Sequence, residues 1–180
     1  MSNIKRKIEN IKINNKDYIM AFDMNSVEVF QTITGKGVLK SISELNRFED
    51  KTVLAFLAST IRPKNNVNEP IGIKLYSGDY DLLALMIMMV PTLVMVINQG
   101  FPETKGNSKK KSVKEELDLD WMLYAYTKIL GNSEEDFWNS TPRKIFSLLD
   151  IHCKVNKINK DNNTQKKGES KEVRTMKVLD

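Results

Sequence analysis

His152 and Cys153 are the only histidine and the only cysteine of the 180-residue chain, and they are the first candidates for chemistry. A cysteine nucleophile requires a base within hydrogen-bonding reach. Adjacent residues of a helix point in different directions, so this pair cannot act as nucleophile and base on the predicted last helix. A zinc site needs three or four ligands, and the sequence offers no second cysteine or histidine. We therefore expect no catalytic residue and no metal site.

Acidic clusters and a glycine-rich stretch are the other candidates for chemistry. Asp118 with Asp120, and residues 134–136, lie at predicted helix starts. The helix dipole favours negative charge at that position, which accounts for these carboxylates without acid–base catalysis. The sequence TGKG at residues 34–37 lacks the Gly-Lys-Ser/Thr ending of a phosphate-binding loop. The sequence predicts a protein that is not an enzyme and holds no cofactor.

The segment from Asp118 to Gly131 has the pattern of an amphipathic helix. Asp118 can cap its first turn, and Gly131 supplies a C-terminal stop. Apolar residues recur along it at helical spacing: Leu119, Met122, Leu123, Tyr126, Ile129 and Leu130. Trp121, Tyr124 and Lys128 lie on another face. The helix therefore presents one apolar face and a second face that carries two aromatic side chains.

Two further helices are predicted to begin on either side of the Phe-Trp pair at 137–138. Ser133, followed by Asp136 three residues later, is a capping signal for the first. Thr141 places a hydroxyl at the cap position of the second, and Pro142 follows at the first helical position, where its missing N–H is not needed. The aromatic pair lies at the corner between these helices. Such a pair either centres a small core or anchors an interface.

The first hundred residues begin with a hairpin pattern and continue as helices. Apolar and polar residues alternate on both sides of residues 14–15. The residues predicted to share one face of this hairpin are Ile11, Ile13, Tyr18 and Met20. Asp23 or Asn25 can cap the next helix, which glycines at 35 and 37 end. A second amphipathic helix follows Asp50 and stops before Pro63.

Residues 82–97 form the most apolar stretch of the chain, interrupted only by Pro91 and Thr92. At about 1.5 Å per residue the stretch is roughly 24 Å long, which is shorter than a hydrocarbon core of about 30 Å. We predict a buried core helix, or a surface for a partner or for self-association. Its four methionines could adapt to different apolar partners. A membrane anchor remains as an alternative.

Composition divides the chain into four parts. Residues 101–116 are polar and lysine-rich and predict a linker, and residues 156–180 are so poor in apolar residues that they predict a disordered tail. Two folded parts remain. One is a helical N-terminal block with a small β-hairpin (1–100), and the other is a small helical C-terminal module (117–155). The predicted fold class is mainly α. So small a module is expected to gain stability from a partner.

The formal net charge of +5 does not indicate a nucleic-acid-binding face. Residues 118–155 contain six acidic and four basic side chains, and the excess of lysine lies mainly in the predicted linker and tail. A duplex-binding domain concentrates positive charge on a folded face. One cysteine and the lack of a signal-peptide pattern predict an intracellular protein.

Two regions resemble tail assembly chaperones of long-tailed bacteriophages. The sequences AFDMNSVEVFQTITG and FEDKTVLAFLASTIR look like the opening of these proteins, and residues 119–150 are similar to the C-terminal extension of their longer form. The second similarity rests on an aromatic-rich helix, a Leu-Gly stop, an acid-acid-Phe-Trp corner and a Thr-Pro-Arg helix start. The matching residues are Ile129, Leu130, Gly131, Glu134, Glu135, Phe137, Trp138, Thr141, Pro142 and Arg143.

The resemblance implies a protein that keeps the tape-measure protein soluble and recruits tail tube subunits, in the cytoplasm of the host bacterium and not in the mature virion. The N-terminal block would bind the tape-measure protein, and the C-terminal module would bind the tube protein. Self-association is possible, and neither nucleic acid nor membrane is expected as a partner. The predicted partner-binding residues are Trp121, Tyr124, Phe137, Trp138, Thr141, Pro142 and Arg143.

Three further hypotheses stay open at the level of the sequence. A small helical DNA-binding regulator and a membrane-associated protein anchored by residues 82–97 are the competing functions. The family often makes its long form by a programmed ribosomal frameshift, and the lysine run at 109–111 offers a place for it. An ordinary basic linker explains the same run.

Overall fold

The computed structural model describes residues 5–45, 47–78, 80–102 and 116–169, with side chains except at residue 43 and residues 158–169. Its elements are mainly helices, together with one small antiparallel sheet of three strands. The predicted fold class is therefore confirmed. The predicted linker lies almost entirely outside the described residues.

The predicted hairpin is present and pairs β1 (Ile8–Ile13) with β2 (Lys16–Ala21). Its two-residue turn consists of Asn14 and Asn15, which have φ angles of 47° and 60°. Asparagine tolerates such left-handed angles better than most residues, and the turn type matches the twist of a hairpin. The four residues predicted to share a face do so: Ile13, Tyr18 and Met20 belong to the core, and Ile11 packs against it.

A third strand, β3 (Ile61–Pro63), follows directly on a helix and was not predicted. It pairs with β2 in antiparallel fashion, with Met20 opposite Ile61. This pairing makes β2 the central strand, and Ile19 and Ala21 on its second face are also buried. The strand is too short to give an alternating pattern in the sequence, so only the tertiary structure reveals it.

Five helices complete the N-terminal block. They are α1 (Met24–Thr34), α2 (Val38–Leu45), α3 (Asp50–Thr60), α4 (Lys74–Ser77) and α5 (Leu82–Gly100). Asp23 caps α1, and Gly35, with a φ angle of 64°, ends it. α1 packs on α3, where the rings of Phe30 and Phe56 stack with centroids 4.2 Å apart.

The C-terminal module contains α6 (Leu119–Tyr124), a π-helical turn (Ala125–Ile129), α7 (Glu134–Trp138) and α8 (Pro142–Glu169). The last helix extends past residue 155, so the predicted start of the tail falls within it. Extending an existing helix requires no new nucleation, which favours continuation into a polar segment. Residues 170–180 lie outside the described part of the chain.

The C-terminal module packs against the N-terminal block, and buried residues of both belong to one hydrophobic core. α7 contacts α1, and α8 contacts α5. Next to the contact with α8, Phe101 follows the end of α5 with its ring 5.2 Å from that of Phe22. The module therefore obtains from its own chain the apolar contacts that its small size predicts it to need.

Candidate functional site

The corner around Phe137 and Trp138 is built by two helix caps, as the sequence predicts. The Ser133 hydroxyl accepts a hydrogen bond from the Asp136 N–H at 3.1 Å and donates one to the Asp136 carboxylate at 2.7 Å. Thr141 Oγ1 accepts a hydrogen bond from the Lys144 N–H at 3.1 Å. Each cap satisfies a backbone donor that the first turn of a helix leaves free.

The aromatic residues of the corner pack on one another. Phe137 is fully buried, and its ring centroid lies 5.8 Å from that of Tyr126 and 5.0 Å from that of Trp138 in an edge-to-face arrangement. The Trp138 indole N–H donates to Glu134 Oε1 at 3.2 Å. Tyr126 is buried with its hydroxyl 3.0 Å from that of Ser140. Phe137 thus belongs to the core that both parts of the chain share, and Trp138 packs against it. The interface role of the corner stays a prediction.

The backbone of the corner is joined to the start of α1. The Met24 N–H donates to the carbonyl of Ser140 at 3.0 Å, and the Asn25 side-chain amide donates to the carbonyl of Trp138 at 3.1 Å. Met24 begins α1, so its N–H has no partner within that helix. The C-terminal module thereby satisfies a polar group of the N-terminal block.

A buried ion network supports this junction from the N-terminal side. The Asp23 carboxylate accepts hydrogen bonds from Arg62 Nη1 at 2.9 Å and Nη2 at 2.6 Å, and both side chains are fully buried. Arg6 Nη1 lies 2.5 Å from the same carboxylate and donates to the side-chain oxygen of Asn139 at 3.1 Å. The network thus connects β3, the cap of α1 and the corner.

Arg143 makes a second junction, at the opposite end of the corner. Its Nε donates to the carbonyl of Phe101 at 2.7 Å, and its Nη2 donates to the carbonyl of Asn98 at 3.0 Å. Carbonyls in the last turn of α5 have no partner within the helix, and a cation is favoured there by the helix dipole. The Arg of the Thr-Pro-Arg motif thus holds α8 against the end of α5.

Trp121 and Tyr124 form the exposed aromatic surface of the C-terminal module. Their relative exposures are 50% and 59%, while Met122 and Tyr126 on the opposite face are buried. The π-helical turn that follows closes with the Leu130 N–H donating to the carbonyl of Ala125 at 3.0 Å. Its wider turn changes the helical phase, which explains why Ile129, predicted to lie on the buried face, is 41% exposed.

A second exposed apolar surface lies on α5, and we call it the α5 stripe. It consists of Leu83, Ile87 and Met88, which are 64%, 70% and 65% exposed. Other residues of the same helix face the core, among them Leu93 and Ile97. The prediction of a core helix is thus correct for one face only. By length and composition α5 could also cross a membrane.

The seven predicted partner-binding residues differ in accessibility. Trp121 and Tyr124 are exposed, Trp138 and Arg143 are half-buried, and Phe137, Thr141 and Pro142 are buried. The corner brings the last five together, while the exposed pair lies on α6. The sequence predicted the stretch that contains the α5 stripe as a core helix or a partner surface, but it did not identify the three exposed residues, because a helix that is apolar on every side does not show which face remains in water.

Comparison of the chain with known protein families, curated proteins and solved structures finds no match.

Proposed function

We propose that the protein is a tail assembly chaperone of a long-tailed phage, which keeps the tape-measure protein soluble and recruits tail tube subunits. The observation that carries the proposal is the presence of two exposed apolar surfaces on separate parts of the chain. One is the α5 stripe, and the other is the Trp121–Tyr124 surface on α6. The sequence resemblance supports the same assignment through α1, α3 and the C-terminal module, and it does not extend to α5.

The α5 stripe suits a long helical partner. Leu83 and Ile87 lie one turn apart on the same line of the helix, and Met88 widens the exposed surface to one side of that line. Apolar side chains in such a line are the anchors by which amphipathic helices pack together. Met88 adds a flexible thioether that can fit unlike partners. A tape-measure protein that is held in extended form offers repeated helical surfaces of this kind.

The aromatic surface of α6 suits a second, different partner. Trp and Tyr provide large contact areas at a small cost in side-chain entropy, which makes them frequent anchors of interfaces. The buried motif residues Phe137, Thr141 and Pro142 support this surface indirectly, because they build the corner on which the π-helical turn after α6 packs. In this proposal the motif shapes the module, and the exposed aromatic side chains contact the tube protein.

Membrane association is the competing function that one observation favours, namely the length and apolarity of α5. Crossing a bilayer would expose the buried face of the helix, including Leu93, Val96 and Ile97, to lipid in place of the core. It would also separate the end of α5 from Arg143, which donates to the carbonyl of Asn98 in the last turn and to that of Phe101 directly after the helix. These contacts favour a helix that stays packed in the protein.

Co-expression with a tape-measure protein tests the proposal. We expect the chain to increase the soluble fraction of that partner, and Ile87→Asp to abolish this effect because it places a charge in the α5 stripe. Ile73→Asp is the matched control, since Ile73 is 71% exposed but lies outside α5. An unchanged soluble fraction in the presence of the wild-type chain would contradict the proposal. Recovery of the chain with the membrane fraction would favour the competing function.

A further inference from the structure

A pocket of about 370 Å³ lies where the C-terminal module meets α2. Its volume is at the lower end of the range for pockets that bind ligands, roughly 300–1,000 Å³. The apolar residues that line it come from both parts of the chain: Leu39 of α2, Leu117, Trp121 and Met122 at the start of the module, and Phe146 of α8. The pocket therefore exists only while the module is docked on the N-terminal block.

The residues that line the pocket differ in exposure, since some are buried in the core and Trp121 is half-exposed to solvent. Leu117 and Met122 are 8% and 1% exposed, so that they are fixed by packing, whereas Trp121 is half-exposed beside them. Leu39 and Phe146 are partly buried and pack against the core. An apolar side chain that enters between these residues would lose water on several sides at once, as occurs at the centre of protein interfaces.

The rim of the pocket is acidic. Glu116 and Asp118 line it, and together with Asp120 they also line an adjoining hollow of about 440 Å³. All three carboxylates belong to residues that are exposed. Lys36 lines the same hollow, with its ammonium group 3.6 Å from Glu44 Oε2. Negative charge around an apolar pocket favours a ligand that carries positive charge on both sides of an apolar group.

We infer that this pocket is a docking site for a partner polypeptide that inserts a bulky apolar side chain flanked by lysine or arginine. The apolar side chain contacts Trp121 and Phe146, and the flanking cations face Glu116 and Asp120. The inference rests on the pocket and its rim; it shares Trp121 with the aromatic surface of α6 but does not depend on the chaperone function proposed for that surface. Failure of the chaperone test would leave it standing, because its own test needs no phage component.

Tryptophan fluorescence provides the measurement. The chain has two tryptophans, so the full-length Trp138→Phe variant leaves Trp121 as the only reporter. The probes are three short synthetic peptides: a Leu-Phe-Leu core flanked by lysines, the same core flanked by glutamates, and an all-alanine core flanked by lysines. We expect a saturable blue shift of Trp121 emission with the first peptide only, because it alone has both the charge and the apolar group.

Two sets of variants separate the contributions of the rim and of α2. Replacing the exposed carboxylates by Glu116→Gln with Asp120→Asn should weaken binding roughly 2- to 10-fold at low salt and less at high salt. The matched control is Glu69→Gln, which removes a carboxylate outside the pocket. Leu39→Lys should abolish binding by placing a like charge in the pocket, while Leu39→Met should retain it. Circular dichroism of each variant checks that the fold is kept.

Three results would overturn the inference. If the glutamate-flanked peptide bound as strongly as the lysine-flanked peptide, the acidic rim would not contribute to binding by charge attraction. Equal binding of the alanine peptide would reduce the interaction to charge alone. A blue shift of Trp121 that appears on concentrating the chain without any peptide would assign the pocket to a second copy of the chain.

Discussion

At the scale of single residues, the ion pair of Asp23 and Arg62 connects β3 to the start of α1. Both side chains are fully buried, and the carboxylate also caps α1 by accepting a hydrogen bond from the Ser26 N–H at 3.0 Å. A buried ion pair contributes little compared with well-packed apolar residues, but removal of one partner leaves an uncompensated charge. The arginine is therefore tolerated only because this aspartate is present.

We predict that Asp23→Ala lowers the free energy of unfolding by about 3–5 kcal/mol, because it leaves the Arg62 guanidinium buried without its carboxylate. Urea denaturation followed by circular dichroism measures the change. Asp17→Ala is the control: Asp17 is 54% exposed and pairs with Lys64 at 3.9 Å, so its removal should change stability by no more than about 0.5 kcal/mol. Similar losses for the two variants would contradict the prediction.

The raised pKa of Tyr80 predicts how the stability of the folded protein changes with pH in the alkaline range. Burial, and secondarily the hydrogen bond and charge of Tyr18, raise the pKa of Tyr80 from 10.0 to about 12. The two hydroxyl oxygens lie 2.9 Å apart. A raised pKa means that the folded protein holds this proton more tightly than the unfolded chain. The stabilisation is therefore complete below pH 10.0 and is lost as the pH rises through about 12.

We expect Tyr80→Phe to flatten the fall in melting temperature between pH 10 and pH 12, because the titrating hydroxyl is removed. Part of the slope should remain, since burial also raises the pKa of Tyr76. Thermal denaturation across this pH range measures the effect. Tyr124→Phe, which removes an exposed hydroxyl, serves as the control. An unchanged slope in Tyr80→Phe would contradict the assignment.

Helix starts are the features that local sequence determines best at the scale of elements. Asp118, Ser133 and Thr141 each cap the helix that the sequence assigns to them, because a cap needs only residues within one turn. The hairpin turn is equally local. β3 and the π-helical turn were not predictable in this way, since strand pairing with β2 and packing around Tyr126 stabilise them from outside their own segments.

The candidate site was predictable only in part for the same reason. The helical spacing of Trp121 and Tyr124 correctly placed them on a face away from Met122. The spacing of Phe137 and Thr141 could not show that the N-terminal block would cover them. Arg62 is an extreme case: a basic residue next to a proline is typical of the surface, and only its distant partner Asp23 explains its burial.

The cap of α8 has a structural role that two substitutions of Thr141 can measure. Thr141→Val keeps the volume of the side chain but removes the acceptor for the Lys144 N–H, and we expect a loss of about 1 kcal/mol in the free energy of unfolding. Thr141→Ser keeps the hydroxyl and should restore most of this loss. Chemical denaturation measures both. Equal stability of the two variants would show that the 3.1 Å hydrogen bond does not stabilise the helix.

The docking of the C-terminal module on the N-terminal block is the property that matters at the scale of the whole molecule. It buries the corner around Phe137, and it forms the pocket between Leu39 and Trp121. The two junctions, Met24 with Ser140 and Arg143 with the end of α5, lie on either side of this corner. Docking therefore covers the corner around Phe137 and leaves the aromatic surface of α6 and the α5 stripe exposed.

Cleavage of the chain between the two parts tests how strongly they are held together. We insert a site for a specific protease between residues 106 and 107 and expect the two fragments to elute together on gel filtration after cleavage, because they share one core. Arg143→Ala removes the hydrogen bonds to Asn98 and Phe101 and should raise the dissociation constant of the fragments roughly ten-fold. The control is Lys154→Ala, which removes an exposed ion pair with Asp150 on the same helix. If the two wild-type fragments eluted separately at micromolar concentration, the shared core would not be what holds the module in place.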